Sequence, residues 1–202
     1  MLLYYYLRIF HRRFLEDLKH DVYAVYKASD YTTMITALKC NLEFRILYYF
    51  RASNFFSKNI FLGSLIKSYY VKLSSNYCVT INPETKIGLG FRLGHIGNII
   101  VHSKTIIGNN VTISQGVTIG KIHKGRLAGT PTFGDRIYVG PNAIIVGHIN
   151  IGNDVIIAGN SFVNFDVPNN SVVLGNPGVV HFKENPTKDV LNLLFDNESF
   201  SN

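Results

Sequence analysis

FGDRIYVGPNAIIVGHINIGNDVIIAGNSFV (residues 133–163) carries an apolar residue at every sixth position: Phe133, Val139, Ile145, Ile151, Ile157 and Val163. A step of six fits neither the 3.6-residue turn of an α-helix nor the two-residue alternation of a strand, so it marks an internal repeat. Small or apolar companions recur at the fifth position of each hexad, at Ile137, Ala143, Ile149, Val155, Ser161 and Val167.

The same step extends upstream. Val101, Ile107, Ile113 and Ile119 form one series, with Thr105, Val111 and Val117 four residues after the first three, and Ile81, Ile87 and Leu93 form an earlier one. The two upstream series are offset by a slip of two residues after Leu93. Gly often follows the leading aliphatic, as at Gly88, Gly108, Gly120, Gly134, Gly140 and Gly152, and Asn or Asp often comes next. These residue types suit tight turns. The unit is therefore short strand, turn, short strand, turn. A single hexad cannot bury its aliphatic, but stacked coils place every leading aliphatic in one interior column and pair the strands as parallel ladders. The residues from Lys121 to Thr132 break the period and are predicted to leave the coil as a loop, where a solenoid can carry binding function.

Ahead of the repeats the pattern is helical. Ile35, Leu38, Leu42, Ile46 and Tyr49 recur at helical spacing and are predicted to line one helix face, with capping candidates at Asp30 to Thr33. The expected organisation is a helical region (1–75), a solenoid (76–180) with an extruded loop (121–132), and a tail (181–202).

The net charge is +7, from 20 basic and 13 acidic residues. The basic residues are scattered, so the excess suits an anionic cofactor, an anionic substrate or a membrane surface better than nucleic acid. Cys40 and Cys78 lie far apart without metal-ligand spacing, which argues against a disulfide framework or zinc and fits a reducing cytoplasm. The apolar, Tyr-rich start from Met1 to Phe10 lacks the charge order and cleavage site of a signal peptide, and no stretch has the roughly 20 apolar residues of a spanning helix. Contact of the first helix with a membrane surface through its Tyr, Phe, Arg and Lys side chains is a further expectation.

Residues 38–181 resemble the serine acetyltransferase group of hexapeptide-repeat acyltransferases, and within it the capsule and exopolysaccharide acetyltransferases of the colanic acid type. The resembling residues are Ile81-Asn82-Pro83 with Lys86-Ile87-Gly88, Phe91 to His95, Ile107 to Val111, and Gly175-Asn176-Pro177-Gly178. The resemblance implies a left-handed parallel β-helix, a homotrimer or hexamer, and acetyl transfer from acetyl-coenzyme A to a hydroxyl without an acyl-enzyme or a metal.

On this resemblance His95 is the general base, a role that a neutral imidazole suits near pH 7. The serine enzymes carry Asp-His-Ala-Thr-Gly where this chain has Gly94-His95-Ile96-Gly97-Asn98. Their more distant aspartate matches Thr80, and the second histidine of their loop falls near Thr130 or Thr132. These departures lead to the expectation of a saccharide acceptor, with serine as the alternative and a catalytically silent scaffold as another. The resemblance places Gly140, Ala158, Gly159, Asn164 and Phe165 beside the coenzyme, with Lys183 as the nearest basic group after the Gly-x-Pro end. Thr80, Asn98, His123 and Arg126 are the candidate acceptor contacts. His102 and His148 are read as surface histidines. The His-x4-His pair of a γ-type carbonic anhydrase is missing.

Overall fold

The computed structural model describes residues 12–191. Residues 1–11, which carry part of the membrane contact predicted for the first helix, lie outside these residues. Among the described residues four helices come first: α1 (Arg12–Tyr26), α2 (Tyr31–Cys40), α3 (Leu42–Phe55) and α4 (Ile60–Asn76). Asp30, Asn41 and Asn59 cap α2, α3 and α4 by accepting the N–H of Thr33, Phe44 and Leu62.

The single apolar face predicted from Ile35 to Tyr49 is divided between α2 and α3. Asn41 is extended (φ −115°, ψ 113°) and its side chain caps the following helix. Arg45 donates to the terminal carbonyls of α2, Nε to Leu38 at 2.9 Å and Nη2 to Lys39 at 2.7 Å. A break that satisfies both sets of orphan backbone groups is more stable than its apolar spacing suggests.

Fifteen short strands follow in three sheets. The first coil is β1 (Val79–Ile81), β2 (Lys86–Ile87) and β3 (Arg92–Leu93), and the second is β4 (Ile99–Val101), β5 (Ile106–Ile107) and β6 (Val111–Ile113). The third is β7 (Thr118–Gly120), β8 (Thr132–Phe133) and β9 (Ile137–Val139), and the fourth is β10 (Ile144–Val146), β11 (Asn150–Ile151) and β12 (Val155–Ile157). The last coil has β13 (Phe162–Val163) and β14 (Ser171–Leu174), and β15 (Val179–Phe182) turns back antiparallel along β14.

Sheet A stacks β1, β4, β7, β10 and β13; sheet B stacks β2, β5, β8 and β11; sheet C stacks β3, β6, β9, β12, β14 and β15. The fold is a left-handed parallel β-helix. Its interior columns are the predicted ones. Val101 lies beside Ile119 and Ile145 beside Val163, each a step of 18 residues, or three hexads. The Ile81 to Val101 step is 20, which contains the slip. The Ile119 to Ile145 step is 26, which contains the loop.

One turn is reinforced by side chains. Asn109 accepts the N–H of Leu89, Asp135 that of Asn109, Asn153 that of Asp135, and Asn169 that of Asn153. A Cβ on Gly108 would come within 2.4 Å of both the Gly134 carbonyl and the Asp135 carboxylate, so the coils can stack this closely only with glycine there.

A solenoid's first coil exposes unpaired strand groups, and here helix side chains meet them. Tyr70 Oη donates to Ile81 O at 2.7 Å, and Arg51 Nη1 donates to Ile87 O at 2.7 Å. The solenoid core runs without interruption into Ile46, Leu47, Phe50 and Tyr70. A second core, around Phe14, Leu18, Met34 and Phe44, joins the helices. At the far end Thr187 donates its N–H and hydroxyl to Asp154, and Leu191 is buried, so residues 183–191 pack against the last coils.

Candidate functional site

The turns from sheet C to sheet A form one long edge, and His95 stands at its first level. Gly94 N–H donates to Ile113 O at 2.8 Å, Ile99 N–H to Cys78 O at 3.0 Å, and Gly97 O accepts from Gly116 N–H at 2.8 Å. Between these anchors the slip supplies two residues more than the repeat needs, and the exposed His95 projects from the resulting bulge. Asn98 ends the bulge in the left-handed region (φ 49°). Among the described residues no group hydrogen-bonds the His95 imidazole.

Gly140, Ala158 and Gly159 lie on this same edge at later levels. Gly140 N–H donates to Ile157 O at 2.7 Å, Asn160 N–H to Pro141 O at 2.8 Å, and Ala158 N–H to Val173 O at 2.9 Å. A Cβ on Gly140 would fall 2.5 Å from the Gly159 nitrogen, and one on Gly159 would fall 3.0 Å from Pro141 O. Glycine at these positions lets neighbouring coils stack this closely; Gly140 is thereby buried, while Ala158 and Gly159 leave little side chain on the edge that leads away from His95.

Thr80 faces outward from β1 beside Ile100 and lines a groove of about 420 Å³ with Tyr70, Ser74 and His102, between α4 and the first two coils. The Ile99–Cys78 hydrogen bond sets the end of the His95 bulge against the start of this strand.

The other candidates lie elsewhere on the protomer. Asn164 and Phe165 are half-buried at the turn from sheet A to sheet B, where the Phe165 ring lies 3.2 Å from the position of a Cβ on Gly178. Lys183 is exposed at the third corner, its N–H donating to Asn170 O. His123 and Arg126 are exposed on a hairpin in which Ile122 and Gly129 exchange both backbone hydrogen bonds. His148 N–H donates to Leu127 O, docking that hairpin on the fourth coil. His102 is held below its ordinary pKa by partial burial first, and then by the positive charges of Lys121 and Lys104 and by His123.

The residues that steady the first coil were missed in the sequence. Arg51 Nε and Nη2 donate to the two Asp21 carboxylate oxygens at 2.8 and 3.1 Å, and Asp21 also accepts the N–H of Phe91 at 3.1 Å. Burial raises the Asp21 carboxyl above its ordinary pKa, against the pull of Arg51. The signal was a lone acid within the apolar stripe of Phe14, Leu18 and Val22. Among the described residues no cluster of His, Cys, Asp and Glu could hold a metal, and Cys40 and Cys78 are free thiols.

The fold and its edge define a hexapeptide-repeat protein of the left-handed β-helix class with a helical cap. The proteins it is similar to within that class are serine acetyltransferases. The chain is 36% identical to serine acetyltransferase 1, chloroplastic, of Arabidopsis thaliana over 118 residues, 58% of this chain and 38% of that protein. The structure of Neisseria gonorrhoeae serine acetyltransferase in complex with serine superposes with a TM-score of 0.68 at 26% identity, covering 88% of this chain and 72% of that one. A serine acetyltransferase in complex with CoA gives 0.69 at 27% identity, covering 85% and 71%. No family model matches the chain. The chain spans between 30% and 57% of the length of the curated relatives it matches.

These relatives overturn two expectations. The saccharide acceptor, with its place in polysaccharide biosynthesis, and the closeness to colanic-acid-type enzymes both fail, because the curated relatives and solved structures it matches are serine acetyltransferases. The departures at Thr80 and Gly94 point to a change of acceptor in the sequence, a reading these relatives do not support.

Proposed function

We propose that the chain is an acetyl-coenzyme A-dependent serine O-acetyltransferase, serving the activation of serine in cysteine biosynthesis in the cytoplasm. The observation that carries this reading is the likeness to serine acetyltransferases across both the helical cap and the coils. His95, exposed on its bulge at the head of this edge, supports the same reading.

In the proposed reaction the His95 imidazole takes the proton from the serine hydroxyl as its oxygen attacks the thioester carbonyl. The new C–O bond forms, the C–S bond breaks, and the imidazolium returns the proton to the departing thiolate. Gly140, Ala158 and Gly159 let the donor lie against backbone, with Asn164, Phe165 and Lys183 as further donor contacts. Thr80, Asn98, His123 and Arg126 are the proposed acceptor contacts. The assembly is proposed as a homotrimer or hexamer, in which the corners of neighbouring protomers meet.

The test is thiol release from acetyl-coenzyme A with and without L-serine, in the intact chain and in His95→Ala. Serine-dependent release that the variant loses by a factor of about 10²–10⁴ supports the reading. Coenzyme binding without any serine-dependent release would sink the acceptor assignment, and no binding at all would favour a silent scaffold.

A further inference from the structure

The outward face of α4 carries large apolar side chains with nothing over them among the described residues. Ile60 is 91% exposed, Phe61 84% and Leu65 62%, whereas Gly63, Tyr70 and Ser74 on the opposite face are buried. Helical spacing puts Phe61, Leu65, Ser68 and Lys72 on one outward stripe, apolar at the start of the helix and polar further on. Ile60 and Phe61 form the first turn directly after the Asn59 cap, where the chain reverses from α3 into α4.

The charges carried by this helix and the turn before it have one sign, the nearby acids being Asp17 and Glu84, which line a cleft beside Asn54 and Phe55. Lys58, Lys67 and Lys72 are exposed, and no Asp or Glu occurs between Glu43 and Glu84. Glu84 approaches Lys67 at 3.7 Å, and both side chains are largely exposed, so this pair leaves most of the positive field unopposed. Two copies meeting through the tip would bring their Lys58 side chains near one another, with no acid of α4 to offset them. An anionic partner fits better. No helix among the described residues is long and apolar enough to cross a membrane, so any lipid contact of this helix is made from one side.

We infer that the start of α4 is an interfacial docking site for an anionic lipid surface. Ile60, Phe61 and Leu65 enter the boundary between headgroups and acyl chains, while Lys58, Lys67 and Lys72 meet the anionic headgroups. An apolar wedge of three side chains with a basic rim gives reversible binding that weakens with salt. The inference stands apart from the acetyl-transfer reading, since none of these residues belongs to the proposed site.

The experiment is co-sedimentation of the full chain with vesicles of phosphatidylcholine alone and of phosphatidylcholine mixed with phosphatidylglycerol. The expected result is binding to the mixed vesicles only. It should be lost in the double variant Ile60→Ser, Phe61→Ser and weakened about tenfold or more in Lys58→Glu, Lys72→Glu. Both variants change exposed side chains, and circular dichroism with gel filtration checks that fold and assembly are kept. No binding to mixed vesicles overturns the inference. So does a serine variant that changes oligomeric state, which would assign the patch to contact between copies.

Discussion

Asp21 and Arg51, thirty residues apart on α1 and α3, close a two-pronged ion pair at 2.8 and 3.1 Å whose remaining bonds all go to the first coil. Asp21 takes the Phe91 N–H, and Arg51 reaches the carbonyls of Ile87 and Gly88. The pair fixes the strand that leads into the His95 bulge. Arg51→Met leaves a buried carboxylate without its partner and is expected to cost about 3–5 kcal/mol. Replacing both, as Asp21→Leu with Arg51→Met, should cost less than the two single changes added together. Urea unfolding of the three variants measures this, and a loss below about 1 kcal/mol for Arg51→Met would refute a structural role for the pair.

Stability should also fall on acidification because of His20. Burial lowers its pKa below 6.5, outweighing the Asp21, Asp17 and Glu16 carboxylates that pull it upward. The unfolded chain then binds this proton more readily than the folded one. Its contribution is full above 6.5 and is lost as the pH drops through 6.5 to the lowered folded value. Between pH 7.5 and 5.5 the urea midpoint of the wild type should fall further than that of His20→Gln. Equal falls would remove His20 from the explanation.

Gly140 and Gly97 make a paired test of what glycine does on this edge. At Gly140 a new Cβ meets the Gly159 nitrogen at 2.5 Å, and Gly140→Ala is expected to cost about 1–3 kcal/mol through overpacking. Gly97 (φ +120°) has open space around it, so Gly97→Ala costs only backbone strain, about 1–3 kcal/mol, and changes the bulge that presents His95. The first variant should unfold earlier in urea without a selective effect on the acetyl acceptor. The second should lower serine-dependent turnover more than coenzyme binding. If both variants shift only stability, the bulge has no part in turnover.

The hairpin can be removed without removing the solenoid. Deleting residues 122–129 brings Phe133 to six residues after Ile119, the ordinary hexad step. The expected product keeps its β-rich circular dichroism and a cooperative thermal transition. It should lose serine-dependent turnover, since His123 and Arg126 are proposed acceptor contacts. Full activity after the deletion would dismiss both residues from the site.

The coils were legible because each hexad writes its inward residue into the sequence. Ile119, Ile145 and Val163 stack as their spacing requires, and the slip after Leu93 marked the bulge. The helical part was less legible. Its spacing reads through Asn41 as one continuous face, and the break rests on Arg45 reaching back to Leu38 and Lys39, which periodicity does not encode. Asp21 needs Arg51 and Phe91 in space before its burial makes sense. The candidate donor residues were placed by likeness alone, and only Gly140, Ala158 and Gly159 fall on the His95 edge within one protomer. The acceptor was not legible, because Thr80 and Gly94 depart from the pattern of the serine enzymes while the relatives the chain resembles are serine acetyltransferases.

Tyr70 and Arg51 at one end, and β15 with the 183–191 segment at the other, occupy strand edges that stacked coils would otherwise offer to a second molecule. Growth by adding copies end to end, the route by which repeated parallel strands become fibres, is therefore opposed at the first coil by the helices and at the last by a strand that breaks the parallel register.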